Sequence, residues 1–360
     1  MCITARYSVR SACSGSTCTA RRAGSQALGV ADRSPQSKIQ LRLLDRDAQA
    51  EPDREFFRER LRAALAWRGK LARDSEACRL VSSEGDGLPG LIVDRYAEAL
   101  VIQTLSWAMA ARQAALVENL LALLQPAVIV ERNDVRVRQQ EGLELRTGIL
   151  HGDGARVEAS IHGLRFELDL LGGQKTGGFL DQRENWAAAA RYAQALGCRR
   201  ALDVFAYQGG FALHLMRAGL EVEAVDSSRP ALEAAERNGQ RTRLAAIDWV
   251  EANAFDLLRD YDQRQLRFDA VVLDPPAFAK SRAARATAAA GYKEINLRAL
   301  KLLAPGGLLV SCSCSHHLSE HMLLGIIAAA ARDARRELRL LERRSQAAGH
   351  PAVLGFPESA

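Results

Sequence analysis

Hydrophobic positions along this chain fall into two regimes, an irregular one up to about residue 168 and a regular strand–helix alternation after it. In the first, Lys38 to Leu44 alternates as a half-buried strand does. Asp53 to Arg68 reads as an amphipathic helix with Phe56, Phe57, Leu61, Ala64 and Leu65 on one face. Leu91 to Asp94 and Ala99 to Thr104 form a pair of strands around a polar turn. A helix from Ala108 to Leu124 stops before Pro126, and Val128 to Glu131 and Leu143 to Arg146 are further strands. Residues 1–36 show no periodicity, are rich in Ser, Arg, Ala and Cys, and carry no Asp or Glu before Asp32. They are expected to lack order.

The second regime opens with the apolar run Ala201 to Phe205, which suits a buried strand of a parallel sheet. Gly209 and Gly210 make a tight turn, and Phe211, Leu213, Leu215 and Met216 are the apolar positions of a helix ending at Gly219. The strand Glu221 to Val225 carries Asp226 at its tip. A helix from Arg229 to Asn238, a strand from Ala246 to Glu251 and a buried strand from Phe268 to Leu273 follow. Asp274-Pro275-Pro276 then stiffens the chain at that strand's end. Lys280 to Gly291 reads as a mobile loop and Tyr292 to Leu303 as a helix ended by Pro305-Gly306-Gly307. Leu308 to Val310 begins a fifth strand that runs into Cys312-Ser313-Cys314-Ser315, and Ser319 to Ala331 is a last helix. This alternation predicts a doubly wound α/β sheet over 169–360, preceded by a smaller α+β domain over 37–168.

Composition narrows the class. Hydrophobic content of 48% and charged content of 26% in 360 residues are ordinary for a globular protein with two cores. No apolar run approaches the roughly 20 residues a membrane span needs. A net charge of +6 suits a polyanionic partner. Seven cysteines without paired C-x-x-C spacing point to neither a disulfide framework nor a zinc site, and so to a reducing cytoplasm.

The chemistry gathers at the strand ends. A glycine turn after one strand and an acid at the tip of the next place a ribose between them, the Asp226 carboxylate accepting from both hydroxyls. The turn lacks the G-x-G-x-x-G spacing that cradles a pyrophosphate, which argues against an NAD-dependent dehydrogenase. A nucleoside cofactor without phosphate, S-adenosylmethionine, fits it. Asn253 follows the third strand, where the adenine is expected. The glycine-rich stretch from Leu170 to Trp186 offers Lys175, Thr176, Asp181 and Arg183 and reads as a lid over the cofactor. Arg132, Arg136 and Arg138 alternate as on one strand face and suit either phosphate contact or a solvated surface.

The ordered motifs GLPGLIVDRY, ERND, KTGGFLDQRENW, DVFAYQGGFALHLMRAG, VDSS, LDPPAF, GYKEINLRALKLLAPGG and SCSCS resemble those of the bacterial 23S rRNA cytosine-C5 methyltransferases, over residues 36 to 358. The resemblance implies a Rossmann-like class I methyltransferase domain using S-adenosylmethionine, a ribosomal RNA substrate and a cytoplasmic setting. It implies no metal and no membrane, and leaves a homodimer open. It implies cofactor contacts from Thr176, Phe179, Asp181, Arg183, Asp203, Phe205, Tyr207, Gly209, Gly210, Asp226, Ser227, Asn253 and Ala254. Cys314 matches the motif nucleophile, with Asp274 bonding the base. Three departures stand out. The sequence before Ser37 is too short and of the wrong kind for the family's N-terminal PUA-type domain, leaving Lys38 to Leu44 as its remnant. Asn253 replaces the usual Asp, and the chain stops at Ala360, before the relatives' last strand. A guanine N-methyltransferase, which needs no cysteine, and a non-catalytic RNA-binding remnant are the competing readings.

Overall fold

The computed structural model describes residues 17–21, 27–72, 74–244, 246–279, 283–315 and 317–354. The chain divides into two compact units, Met1–Gln182 with Ser345–Ala360, and Arg183–Arg344.

The first unit opens with strands β1 (Thr17–Arg21), β2 (Ala27–Arg33) and β3 (Leu41–Asp45), joined as one antiparallel sheet in that order. This corrects the reading of 1–36 as lacking order, for the part that is described; residues 1–16 lie outside the described residues. Helix α1 (Arg54–Leu71) starts at Asp53, whose side chain accepts from the Phe56 N–H, an N-cap that satisfies one orphan donor. Strands β4 (Ala77–Ser82), β5 (Leu91–Tyr96) and β6 (Ala99–Thr104) follow. The helix expected over 108–124 is two, α2 (Trp107–Ala111) and α3 (Gln113–Leu124), broken at Arg112, whose guanidinium bonds the Ala108 carbonyl at 2.9 Å. Strand β7 (Val128–Asn133), the short helix α4 (Val137–Gln140) and β8 (Arg146–His151) complete a mixed sheet of order β4-β5-β6-β7-β8. Phe57, Leu61, Leu91, Ile102, Leu116 and Leu120 lie in its core. A hairpin of β9 (Arg156–Ile161) and β10 (Leu164–Asp169) ends the run of strands.

Two readings fail here. Arg132, Arg136 and Arg138 do not share a strand face. Arg132 is buried on β7 and bonds the Leu170 carbonyl at 3.0 Å, and Arg136 precedes α4. Arg138 lies inside α4, buried, with Nε on the Glu144 carbonyl at 3.0 Å. Arg132 and Arg138 are spent on the unit's own backbone, and Arg136 is exposed. The boundary also falls after Gln182 rather than after 168, because the glycine-rich stretch is bonded to β5.

The second unit runs α5 (Arg183–Ala195), β11 (Arg200–Val204), α6 (Gly210–Arg217), β12 (Glu221–Asp226), α7 (Arg229–Arg241), β13 (Asp248–Glu251) and α8 (Ala254–Gln263). It continues with β14 (Phe268–Leu273), α9 (Arg285–Leu302), β15 (Leu303–Ser311) and α10 (Glu320–Asp333). The strands form one parallel sheet of order β13-β12-β11-β14-β15. The order reverses at β11, so the chain switches direction across the sheet there, and the ligand edge of such a fold is the carboxyl end of its strands. Leu202, Val204, Val225, Val271 and Leu273 are fully buried and make the strands apolar on both faces. The loop expected from Lys280 to Gly291 is helical from Arg285 on, and 280–282 lie outside the described residues.

Candidate active site

Because all five strands run parallel, the residues just after Val204, Asp226, Glu251, Leu273 and Ser311 share one sheet edge. Phe205, Tyr207, Gly209, Gly210, Ser227, Asn253, Ala254, Asp274 and Cys314 all fall there, with Asp203 just inside it and Asp226 at the tip of β12.

The turn after β11 is held under strain. Phe205, Tyr207 and Gly209 have φ of +69°, +49° and +83°, and the first two are not glycine. Their amides are accounted for. Phe205 and Ala206 both donate to the Val225 carbonyl at 2.9 Å, and Tyr207 donates to Asp226 Oδ2 at 2.9 Å. The buried Asn238 adds Nδ2 to the Gln208 carbonyl at 3.3 Å, a contribution from α7 that the sequence does not announce.

At Gly210 a Cβ would lie 2.4 Å from Trp186 Cε2, so the glycine makes room for a protein side chain. Gly209 is similar, its Cβ position lying 2.8 Å from Trp249.

Asp226 is half-buried, and its Oδ1 accepts from Ser228 N–H at 2.9 Å. With Tyr207 on Oδ2, each oxygen keeps lone pairs for a further donor while the group is fixed in place. Asp203 is different. It is fully buried, its Oδ2 accepts from Ala212 N–H at 2.9 Å, and its Oδ1 is buried without a partner. Burial first, then the charges of Asp274 and Asp226, push its carboxyl up to about 8. Asn253 is exposed and caps α8 through Oδ1, which leaves its amide N–H2 for a neighbour outside the helix. Ser227 is exposed and Ala254 buried.

Asp274 and Cys314 stand at the tips of adjacent strands. The Asp274 amide donates to the Val204 carbonyl at 3.3 Å, and the Cys314 thiol lies 3.7 Å from the Pro275 carbonyl it donates to. Cys314 is exposed and Cys312 half-buried. The expected continuation of the strand through Cys312 to Ser315 fails: β15 ends at Ser311, and Cys312 N–H makes a last ladder bond to the Leu273 carbonyl at 2.8 Å. Ser313 Oγ then accepts from Ser315 N–H at 3.2 Å, a local side-chain bond that draws the backbone out of the ladder. Phe205, Phe255 and Phe278 gather beside this corner, with ring centroids 6.4 Å apart for Phe205–Phe278 and 5.9 Å for Phe255–Phe278. The aromatic group is spread over three separate segments, so no single motif displays it.

Thr176, Phe179 and Asp181 belong to the first unit, and their surroundings there are specific. Thr176 is 2% exposed, donates to Asp94 Oδ2 at 2.7 Å and accepts from the Tyr96 hydroxyl at 2.9 Å. Asp94 is also clasped by Arg79 at 2.8 and 3.0 Å. Burial raises the Asp94 carboxyl, but Arg79 overrides it and leaves the group below its ordinary value. The Thr176 hydroxyl thus holds the glycine-rich stretch to β5. Lys175 pairs with Asp181 at 2.7 Å and lies 4.4 Å over the Phe179 ring. Burial raises Asp181 and Lys175 lowers it, the net being downward. Arg183 begins α5 in the second unit, 1% exposed and bonded to Glu184 at 3.3 Å.

The residues fit the cofactor inferred from the sequence. A fixed, half-exposed carboxylate at β12 matches a vicinal diol, and a strained, apolar-flanked turn without a phosphate cradle matches an uncharged ribose. Among the described residues, no three His, Cys, Asp or Glu side chains gather as metal ligands, and no helix is long and apolar enough to cross a membrane.

Comparison with known proteins gives this geometry its family. Residues 144–355 match the model of the S-adenosylmethionine-dependent methyltransferases. The chain is 41% identical over 332 residues to the ribosomal RNA large subunit methyltransferase I of Photobacterium profundum, covering 90% of this chain and 83% of that protein. The protein of the same name from Tolumonas auensis is 42% identical over 333 residues, with the same shares of 90% and 83%. The crystal structure of the methyltransferase SMU.776 complexed with SAH superposes with a TM-score of 0.76 at 18% identity, over 92% of this chain and 86% of that one. A SAM-dependent methyltransferase from Streptococcus mutans gives 0.71 at 18% identity, over 85% and 79%. At such identity these two structures speak for the fold alone. The chain belongs to the S-adenosylmethionine-dependent methyltransferase family, beside the large-subunit methyltransferases I, and S-adenosylmethionine is its cofactor.

Proposed function

We propose that this protein methylates carbon 5 of a cytosine in large-subunit (23S) ribosomal RNA. One observation carries the reading: an exposed cysteine, Cys314, stands at the ligand edge of the sheet with its sulfur on the carbonyl that follows Asp274. The relatives at 41% and 42% identity are named for ribosomal RNA of the large subunit, which supports the substrate class. The +6 net charge suits the polyanion, and a cytoplasmic setting is part of the same reading.

Carbon 5 of cytosine is a weak nucleophile and needs activation. The Cys314 thiolate adds to carbon 6, which moves electron density onto carbon 5 and toward N3. Asp274 accepts from the amino group of the base through one oxygen and, carrying a proton on the other, donates to N3, where that charge collects. S-adenosylmethionine supplies the electrophilic methyl group that carbon 5 takes. Loss of the carbon-5 proton to a base and departure of the Cys314 sulfur from carbon 6 restore the aromatic ring and the free thiolate. Asp226 holds the ribose, and Asn253 takes the adenine edge through its side-chain amide. Phe205, Tyr207 and Ser227 complete the set of cofactor residues on this sheet edge.

The test is mass spectrometry of nucleosides from large-subunit RNA incubated with the protein and methyl-labelled S-adenosylmethionine. Label in 5-methylcytidine is the expected result. Label in an N-methylguanosine, or none with the cofactor bound, overturns the reading.

A further inference from the structure

The nucleophile's two neighbours share one partner. Tyr292, on α9, is fully buried, and its hydroxyl sits between Ser313 and Ser315. Ser313 Oγ donates to the Tyr292 oxygen at 3.0 Å, so the Tyr292 proton goes to Ser315 Oγ, also at 3.0 Å. Ser315 is buried and accepts in addition from Ala279 N–H at 3.3 Å, three residues beyond the Asp274-Pro275-Pro276 corner. Ser313 Oγ closes the ring by accepting from Ser315 N–H at 3.2 Å. The Tyr292 ring is itself packed on Phe278, with centroids 4.8 Å apart. Consecutive Cα atoms lie about 3.8 Å apart, so pinning residues 313 and 315 to one rigid phenol leaves the residue between them little freedom. That residue is Cys314.

We propose that Tyr292 is a positioning residue: through Ser313 and Ser315 it fixes the Cys314 thiol at the distance and angle from which it reaches carbon 6. A buried phenylalanine would fill the same apolar space. The hydroxyl is what differs, and both its partners flank the nucleophile. Tyr292 touches no reacting atom and acts through the backbone of the Cys314 corner. The inference rests on Cys314 as the nucleophile.

The experiment uses the full chain with S-adenosylmethionine and large-subunit RNA. Tyr292→Phe is expected to lower kcat by about 10- to 100-fold, the size of effect that a misplacement near 1 Å produces. KM for the cofactor should stay within about twofold, since Asp226 and Asn253 are untouched. Alkylation of Cys314 by iodoacetamide at one pH should also change less than about twofold, because the thiol stays exposed and only its aim is lost. Ser315→Ala should reproduce the fall in kcat, and combining it with Tyr292→Phe should add little, as expected for groups in one network. Should Tyr292→Phe lose its fold, Ser313→Ala removes one arm of the clamp with the phenol left in place, and the same split between kcat and KM is read from it. A wild-type kcat in Tyr292→Phe, or a fall matched by equal loss of cofactor affinity, overturns the positioning role. Cys314→Ala separates the two ideas: if it stays active the nucleophile is wrong, and if it is dead beside a fully active Tyr292→Phe only the positioning is.

Discussion

The Tyr207 backbone N–H donates to Asp226 Oδ2 at 2.9 Å, so the strained turn after β11 and the tip of β12 hold each other in place. The same carboxylate takes Ser228 N–H on its other oxygen. Asp226 therefore shapes the turn, and in the proposed reading it also holds the ribose. Asp226→Ala is expected to weaken S-adenosylmethionine binding by about 1.5–3 kcal/mol, the worth of a hydrogen bond to a charged group. Calorimetry on a variant with an unchanged melting curve reads this directly. Unaltered affinity would reject Asp226 as the ribose acceptor.

Asp203 predicts a pH dependence of stability. Its carboxyl is pushed up to about 8, mainly by burial and further by Asp274 and Asp226. The folded protein thus keeps a proton that the unfolded chain has released above the ordinary Asp value. The stability this contributes is complete below about pH 4 and is lost as pH rises through the window to 8, at up to ~1.4 kcal/mol per pH unit. Asp203→Asn keeps an acceptor for Ala212 N–H and cannot ionise. Urea unfolding at pH 5 and pH 8 should show a larger loss in the wild type than in the variant. Equal losses in both proteins would mean that Asp203 ionises as an ordinary carboxyl.

The Gly210–Trp186 contact gives a stability test. Gly210→Ala places a methyl 2.4 Å from the indole and should cost about 1–3 kcal/mol, as overpacking does. In a Trp186→Leu background the same change should cost less than about 1 kcal/mol, a coupling expected of residues in contact. An equal cost in both backgrounds would trace the glycine to its backbone instead.

These cases show which parts of the molecule the chain makes legible. The β11–α6–β12 unit and β14 are plain because strands buried on both faces are apolar runs closed by glycine or proline, as at Gly209 and Pro275. Asp226, Asn253, Asp274 and Cys314 follow because parallel strands deliver their next residues to one edge. Other features depend on partners distant in sequence. Strands β1 and β2 hold short runs such as Thr17-Cys18 and Gly29-Val30-Ala31, whose sheet is defined only by pairing with β3. The first turns of α9, Arg285-Ala-Thr-Ala-Ala-Ala, have too few large apolar residues for a period to show. Thr176 looks like a ligand residue in a glycine-rich stretch, and only its bonds to Asp94 and Tyr96 show the hydroxyl to be committed elsewhere. The Tyr292 clamp needs α9 and the Cys314 corner to meet, which no local spacing reveals.

The last prediction is which cysteine acts. Because β15 ends at Ser311, strand parity does not relate Cys312 to Cys314, and the choice rests on their surroundings. Cys312 still donates its N–H to the Leu273 carbonyl at 2.8 Å and is half-buried against the sheet. Cys314 is exposed, lies past the end of the ladder, and has its sulfur 3.7 Å from the Pro275 carbonyl beside Asp274. Cys314→Ala should abolish methyl transfer and leave cofactor affinity intact. Cys312→Ala should cost some stability, of the order of 1 kcal/mol for a small half-buried side chain, and keep the activity. A cytosine with fluorine at carbon 5 cannot shed its substituent as a proton, so after methyl transfer the sulfur stays bonded to carbon 6. RNA carrying that base should be trapped covalently on the protein, and peptide mapping should find it on Cys314. An adduct on Cys312, or no adduct with an active enzyme, would sink the assignment.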